Sequence, residues 1–351
     1  MKALIAMSGG VDSSVAAKIM SDKGYECVGC TMHLYSHKDE YKTSDKKDAK
    51  EVSDKLGIPF YIYNYEEEFK NNVIEQFVRS YEEGKTPNPC IECNKCMKFD
   101  KLFEKMKELG CDKLVTGHYA RIEKREDGKG YYLKKALDET KDQSYVLFRL
   151  SKDILPYIEF PLGSYEKTKI RELAKDSGFS NADKGDSQDI CFIPDGDYAG
   201  FIKEYRNTSF KEGNFVDKEG NVLGKHKGII NYTIGQRKGL GIALGKPMYV
   251  VEINTEKNEV VLGDNKDLFT NVVYATDINL LTVDKIEEPM RIKAKIRYKH
   301  KESQALVYQL DENNIKVVFD APQRAITPGQ SLVLYDGDIV VGGGRIILPK
   351  N

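Results

Sequence analysis

Two groups of residues in this sequence could do chemistry. The first is Ser8-Gly9-Gly10-Val11-Asp12-Ser13-Ser14, which follows an apolar run, Ala3 to Met7, and leads at once into a helical pattern. Glycines let a backbone approach an anion closely, successive N–H groups can point inward, and a helix N-terminus adds positive potential. The loop has neither the Gly-Lys-Ser/Thr ending of a Walker A loop nor the glycine spacing of a dinucleotide fingerprint. The plainer reading is a glycine-rich turn whose hydroxyls cap the helix. Its place directly after the first strand favours a phosphate.

The second group is the cysteines. Cys27, Cys30, Cys90, Cys93, Cys96, Cys111 and Cys191 form an odd set with no export signal before them, so thiol or metal chemistry is expected rather than a disulfide framework. In Thr86-Pro87-Asn88-Pro89-Cys90-Ile91-Glu92-Cys93-Asn94-Lys95-Cys96, two prolines precede a helix and put Cys93 near its N-terminus. A helix dipole favours a thiolate there, and Lys95 adds to the effect. Cys191 lies in Asp186-Ser187-Gln188-Asp189-Ile190-Cys191-Phe192-Ile193, an apolar, strand-like piece after acidic and polar residues. Cys27, Cys30 and Cys111 read as ordinary buried thiols.

A third pattern is basic. From Arg291 to Lys301 every odd position is Lys or Arg, so a strand would put Arg291, Lys293, Lys295, Arg297, Lys299 and Lys301 on one face. Such a row suits phosphates, with Tyr298 as a stacking plane, although a half-buried strand with a solvated face has the same pattern. Lys225-His226-Lys227 and Gln236-Arg237-Lys238-Gly239 form a second basic stretch. The formal net charge of -1 gives no global field for a polyanion, so any nucleic-acid surface must be a local patch.

Ser8 to Ser13 resembles the SGGxDS loop of the PP-loop ATP pyrophosphatases. That resemblance implies cleavage of ATP between its α and β phosphates and transfer of AMP to a substrate oxygen. It implies an ATP site made by Ala6, Met7, Ser8, Gly9, Gly10, Val11, Asp12 and Ser13, with Met32 at the adenine and Gly117 lining the nucleotide. Asp12 would help to hold Mg2+. The pieces PNPxxxCNK, GHYARI, KDQSYVL, DSxxICFI, YTIGQRKGLG, PGQ and GGGRI, in that order, are similar to those of the tRNA-specific 2-thiouridylase family (MnmA) and span nearly the whole chain. The implied activity is adenylation of O2 of uridine 34, the tRNA wobble base, followed by sulfur transfer to give 2-thiouridine.

By the same resemblance Cys191 receives sulfur as a persulfide and Cys93 completes the transfer, with a disulfide between them that a reductant reopens. One position departs: Cys90 stands where the family often has Asp. An alternative sulfur route follows, in which Cys90, Cys93 and Cys191 ligate a [4Fe-4S] cluster with one iron left open. The resemblance assigns Asn88, Pro89, Cys90, His118, Lys141, Asp142 and Gln143 to the pocket for the target base, and Arg297, Tyr298 and Gln330 to tRNA contacts. The implied partners are tRNAs of the Lys, Glu and Gln types and a cysteine desulfurase or another sulfur donor. Two rivals differ in class. An amide-forming PP-loop ligase would need no redox thiols, and a non-catalytic RNA-binding protein would not need an intact loop beside two motif cysteines.

The elements that must position these residues divide the chain. At 351 residues, 40% hydrophobic and 31% charged, the sequence is that of a globular protein of two or three domains. No apolar run approaches the roughly 20 residues that cross a bilayer, and the N-terminus lacks a secretory pattern, so no membrane partner and a cytoplasmic location are expected. The first half predicts strands at Ala3 to Met7, Glu26 to His33, Phe60 to Asn64 and Lys113 to Thr116. Helices are predicted at about Ser14 to Lys23, Ser44 to Leu56, Glu67 to Tyr81 and Lys95 to Leu109. That alternation gives an α/β, Rossmann-like parallel sheet. After about residue 200, short alternating runs broken by Thr327-Pro328-Gly329 and Asp336-Gly337 predict two smaller, mainly β domains, the last a β-barrel. The expected divisions are 1–197 for ATP binding and catalysis, 198–264 for a central tRNA-binding domain and 265–351 for the barrel. Predicted strands there include Met248 to Asn254, Glu259 to Leu262, Met290 to Tyr298, Ala305 to Gln309, Ile315 to Phe319, Ser331 to Tyr335 and Asp338 to Gly342.

Overall fold

The computed structural model describes residues 1–36, 43–185, 189–243 and 245–348. The chain forms two compact units, each gathered from separated stretches. The first holds Met1–Val73, Cys90–Gln188 and Asp336–Gly342, and the second Ile74–Pro89, Asp189–Tyr335 and Gly343–Asn351.

The first unit is built on β1 (Lys2–Ala6), β2 (Glu26–His33), β3 (Phe60–Asn64), β4 (Lys113–Thr116) and β7 (Ile158–Glu159), in the order β3-β2-β1-β4-β7. Every pairing is parallel. Sequence order therefore reverses at β1, whose neighbours are β2 on one side and β4 on the other. Crevices at the carboxyl ends of strands at such a reversal are where open α/β sheets bind ligands. Helix Val11–Asp22 follows β1, and its buried Val15, Ala16, Ile19 and Met20 join Ala3, Ile5 and Met7 in the core. Helix Thr43–Leu56 supplies Ala49 and Val52 to the same cluster. A hairpin of β5 (Ala120–Lys124) and β6 (Tyr131–Lys135) completes the unit, and Ile339 pairs with Lys134 on it.

The second unit is mainly β, as its glycine-punctuated alternation predicts. β8 (Gly213–Val216), β9 (Val222–His226), β10 (Tyr249–Asn254) and β11 (Glu259–Gly263) form a sheet in the order β10-β11-β8-β9. Phe215, Tyr232, Leu240, Val250, Val260 and Leu262 fill its core. β12 (Phe269–Leu280), β13 (Met290–Lys295), β14 (Ser303–Gln309), β15 (Ile315–Arg324), β16 (Ser331–Asp336) and β17 (Ile339–Ile347) run β12-β15-β14-β13-β16-β17. A β12–β17 pairing closes these six into a barrel, which removes both edges. Helices Glu75–Glu82 and Tyr198–Arg206 also belong to this unit.

Two expected elements change. The strand predicted to Tyr298 stops at Lys295, and residues 296–300 turn, with the His300 N–H donating to the Arg297 carbonyl at 3.1 Å. The strand-like piece around Cys191 is a turn instead, closed by the Ile193 N–H on the Ile190 carbonyl at 2.9 Å. Asp186, Ser187 and Gln188 lie outside the described residues.

Candidate active site

The loop after β1 is shaped by its own hydroxyls. Ser13 Oγ accepts from the Ser8 N–H at 3.1 Å and donates to the Gly10 carbonyl at 3.0 Å, and Ser14 Oγ reaches that carbonyl at 3.0 Å. Gly9 has φ +76°, and a Cβ there would stand 2.2 Å from the Asp45 carbonyl oxygen, so only glycine fits. Gly117, at the end of β4, approaches the start of helix Val11–Asp22 so closely that a Cβ would lie 2.8 Å from Ser13 N. Met7 and Val11 are 2% and 4% exposed, so they can offer a nucleotide only their backbone. Ser8 is exposed, while Ala6, Gly10, Asp12, Met32 and Gly117 are half-buried.

Residues that sequence reasoning missed brace this loop. Lys167, at the start of helix Lys167–Asp176, places Nζ 2.7 and 2.8 Å from the two Asp12 carboxylate oxygens. The Tyr119 hydroxyl donates to Asp12 Oδ1 at 2.8 Å. Asn181 donates from Nδ2 to the Gly9 carbonyl at 3.0 Å and to Ser14 Oγ at 2.9 Å, and its Oδ1 is buried with no partner. Lys184 bonds Asp45 and Asp48 at 2.7 Å each. Burial opposes its charge, but the two carboxylates outweigh that and raise its pKa.

Asp12 does not form a ready Mg2+ site. Magnesium takes one or two free carboxylates together with substrate phosphates and waters, whereas both Asp12 oxygens here are held by the Lys167 ammonium. The iron–sulfur alternative also lacks support. Among the described residues, no group of three or more His, Cys, Asp or Glu side chains is placed to hold a metal ion.

Cys93 lies one turn inside a continuous helix that starts at Pro89, at the head of the π-helical stretch Cys93–Lys101. Wide turns of that kind often mark functional positions. The thiol is buried at 8% exposure; Cys90 is exposed and Cys96 half-buried. The neighbouring turn is fixed by Arg149 on Glu92 and by Asn94 Nδ2 on the Val146 carbonyl at 3.1 Å. Burial, with Cys111 adding to it, pushes Cys27 to about 11 and Cys30 to about 12, so neither is a nucleophile near neutral pH.

His118 is buried, its Nδ1 2.7 Å from Thr116 Oγ1 and its ring close to Phe99 and Phe160. Desolvation, and then Lys98, hold its pKa well below the usual value, so the ring is neutral at pH 7. Asp142 and Gln143 act on their own surroundings. Asp142 accepts from the Ala136 and Ser144 N–H groups and the Ser144 hydroxyl, and Gln143 Oε1 from the Tyr119 N–H. Lys141 stands half-buried beside them.

Cys191 belongs to the second unit. It is exposed at its turn, while the next residue, Phe192, is 3% exposed and packs on Phe77 and Phe201 at ring separations of 5.4 and 5.2 Å. An anchored aromatic therefore presents the thiol to solvent. Arg206 clamps the helices behind it through Glu75 and Glu82, at 2.8 Å to each. Its guanidinium is the largest cause holding the Glu75 pKa down at about 2.

The segment carrying Asn88 and the buried Pro89 is fastened within this unit. Thr86 donates its N–H to the Pro328 carbonyl at 2.9 Å and accepts at its carbonyl from Gln330 Nε2 at 2.6 Å. Gln330 thus spends an amide proton on protein. Arg297 donates to the Arg324 carbonyl at 2.9 Å, and Arg291 is engaged bidentately by Asp320. The turn after Lys295 breaks the expected row of six cations, leaving Tyr298 half-buried.

The reversal of strand order, the hydroxyl-laced loop and the close approach of Gly117 define a nucleotide-binding protein of the PP-loop class. A family model described as the tRNA methyl transferase HUP domain matches residues 1–195. The tRNA methyl transferase PRC-barrel domain matches 199–264, and the aminomethyltransferase beta-barrel domain 270–346. The tRNA-specific 2-thiouridylase MnmA of Clostridioides difficile (strain 630) is 52% identical over 98% of this chain and 98% of its own. That of Acetivibrio thermocellus is 50% identical over 98% and 99%. This chain belongs to the tRNA-specific 2-thiouridylase family. The solved U34-tRNA thiolase NcsA from Methanococcus maripaludis with its [4Fe-4S] cluster covers 58% of this chain and 67% of its own at 16% identity. Its TM-score of 0.37 is too low to carry an argument.

Proposed function

We propose that this protein is a tRNA-uridine 2-sulfurtransferase that adenylates O2 of uridine 34 with ATP and replaces that oxygen by sulfur. The observation that carries the reading is the 52% identity to a tRNA-specific 2-thiouridylase across 98% of both chains. The loop after β1 holds the phosphates through the N–H groups of residues 9–13, and Met32 and Gly117 flank the nucleoside. Aligning the base oxygen with the α-phosphorus supplies much of the rate, because it replaces an encounter in solution by a fixed approach. Attack breaks the bond to pyrophosphate and turns an inert carbonyl oxygen into the leaving group AMP.

The outer sulfur of a Cys191 persulfide then attacks C2, and AMP departs. The Cys93 thiolate attacks Sγ of Cys191, the S–S bond breaks, and the transferred sulfur stays on the base. A Cys93–Cys191 disulfide remains for an outside reductant to open. The exposure of Cys191 supports its receiving sulfur from a donor protein such as a cysteine desulfurase. The proposed divisions are 1–197 for adenylation, 198–264 for tRNA binding and 265–351 for the barrel. By the family resemblance, Asn88, Pro89, Cys90, His118, Lys141, Asp142 and Gln143 are assigned to the pocket for the target base. Arg297, Tyr298 and Gln330 sit at or support the tRNA-facing surface. The substrates are tRNAs of the Lys, Glu and Gln types, in the cytoplasm; no helix among the described residues is long and apolar enough to cross a membrane.

Mass spectrometry of unmodified tRNA incubated with the protein, ATP, a sulfur donor and reductant tests the reading. Nucleoside 34 should gain the mass by which sulfur exceeds oxygen. An unchanged nucleoside in the presence of functional donor would refute it.

A further inference from the structure

The phosphate loop has no basic side chain of its own: from Ser8 to Ser14 it offers hydroxyls, backbone N–H groups and the carboxylate of Asp12. Phosphoryl and nucleotidyl transfers need charge stabilisation where the leaving group departs, and a lysine commonly supplies it. Two lysines bond to the loop or its first helical turn. Lys184 is committed to Asp45 and Asp48 and lies 3.4 Å from the Gly9 carbonyl. Lys167 crosses 155 positions of sequence to meet Asp12, with its side chain only 9% exposed and its Nζ 5.5 Å from the Tyr119 ring centroid. A buried ion pair is a poor source of net stability, because desolvation offsets much of the attraction. This one joins helix Lys167–Asp176 to the second residue of helix Val11–Asp22, at the helix N-terminus, the end that favours an anion.

We propose that Lys167 is a catalytic residue of the adenylation step, a role that rests on the sulfur-transfer reading and deepens it. Asp12 holds the ammonium at the loop. When the nucleotide binds, Lys167 extends to the oxygen that bridges the α and β phosphorus atoms, and Tyr119 continues to orient Asp12. The base O2 bonds to the α-phosphorus, the bridge to the β-phosphorus breaks, and its electron pair leaves with pyrophosphate beside the Lys167 ammonium. The adenylated base gives up its N3 proton to solvent.

The test measures tRNA-dependent pyrophosphate release by the full-length enzyme, with ATP affinity and Cys191 persulfide formation read separately. Lys167→Met is expected to lose about 100-fold or more in kcat, the scale seen when one preorganised donor to a developing charge is removed. The KM for ATP and Cys191 persulfide formation should stay within about threefold of wild type on the same reasoning. Lys167→Arg should fall between the two. If Lys167 merely neutralises Asp12, the double variant Asp12→Asn, Lys167→Met will outperform Lys167→Met alone. Recovery of that kind, or Lys167→Met within threefold of wild type, overturns the proposal. If the Met variant has no thermal unfolding transition, Lys167→Arg decides: wild-type kcat overturns the role and a reduced kcat at unchanged KM supports it. Wild-type enzyme that releases no pyrophosphate with any tRNA overturns the sulfur-transfer reading itself and this role with it.

Discussion

Asn181 holds Gly9 in place: its Nδ2 reaches the Gly9 carbonyl at 3.0 Å and Ser14 Oγ at 2.9 Å from a position 4% exposed. One amide thereby fixes both sides of the phosphate loop. Asn181→Ala is expected to leave that carbonyl buried without its donor, costing about 1–3 kcal/mol of stability. The affinity for ATP should fall by about tenfold, the factor that corresponds to 1.4 kcal/mol. Calorimetric titration and a denaturant melt measure the two effects, and an unchanged ATP affinity would count against the loop as the nucleotide site.

Gly9→Ala places a Cβ 2.2 Å from the Asp45 carbonyl oxygen at φ +76°. The left-handed backbone alone costs a non-glycine residue about 1–2 kcal/mol, and relief of the clash requires helix Thr43–Leu56 to shift. Loss of ATP binding together with a lower melting temperature is the expected result. A soluble Gly9→Ala protein with wild-type pyrophosphate release would show that the observed loop conformation is not the working one.

Thiol accessibility differs sharply among the cysteines. Brief alkylation of native, reduced protein at pH 8 should label exposed Cys191 first, and Cys27 and Cys30 last, since burial raises the latter two to about 11 and about 12. Peptide mass spectrometry gives the order. Cys191→Ser should abolish thiolation and keep tRNA-dependent pyrophosphate release, because adenylation precedes sulfur transfer. Protein purified anaerobically is expected to contain no stoichiometric iron; iron that disappears on Cys90→Ala would overturn the persulfide route.

The clamp behind Cys191 gives a pH dependence of known sign. Glu75 has a folded-state pKa of about 2, below its ordinary 4.5, because Arg206 is hydrogen-bonded to it. Its contribution to stability is therefore complete above pH 4.5 and is lost as pH falls toward 2. Arg206→Met should flatten the fall in denaturant midpoint across that window. It should also broaden Cys191 reactivity by loosening the helices behind Phe192. A parallel decline in wild type and variant would show that other carboxylates dominate the window.

How much of this was legible depends on how far each signal reaches along the chain. The phosphate loop, β2 and β3 are written in adjacent residues, so composition and periodicity located them. Lys167 and Asn181 carry no signal of their role in adjacent residues, because their partners lie 155 and 167 positions away. β13 was read too long for a different reason. Ile296 stays buried after the strand ends, so the alternation continues into a turn that no glycine or proline announces. The 12-residue β12 escaped notice because partly exposed positions and Asp277, at φ +53°, blur its alternation. The family's Asn88, Asp142 and Gln330 were readable as motif letters. That Asp142 and Gln330 bond to backbone needed coordinates.

The strand Ile339–Ile347 has a further meaning for biosynthesis. Its opening residues complete the hairpin side of the first unit, and its remainder seals the six-stranded cylinder. A ribosome must therefore release nearly the entire polypeptide before the last strand pairing on the hairpin or the closure of the cylinder can form.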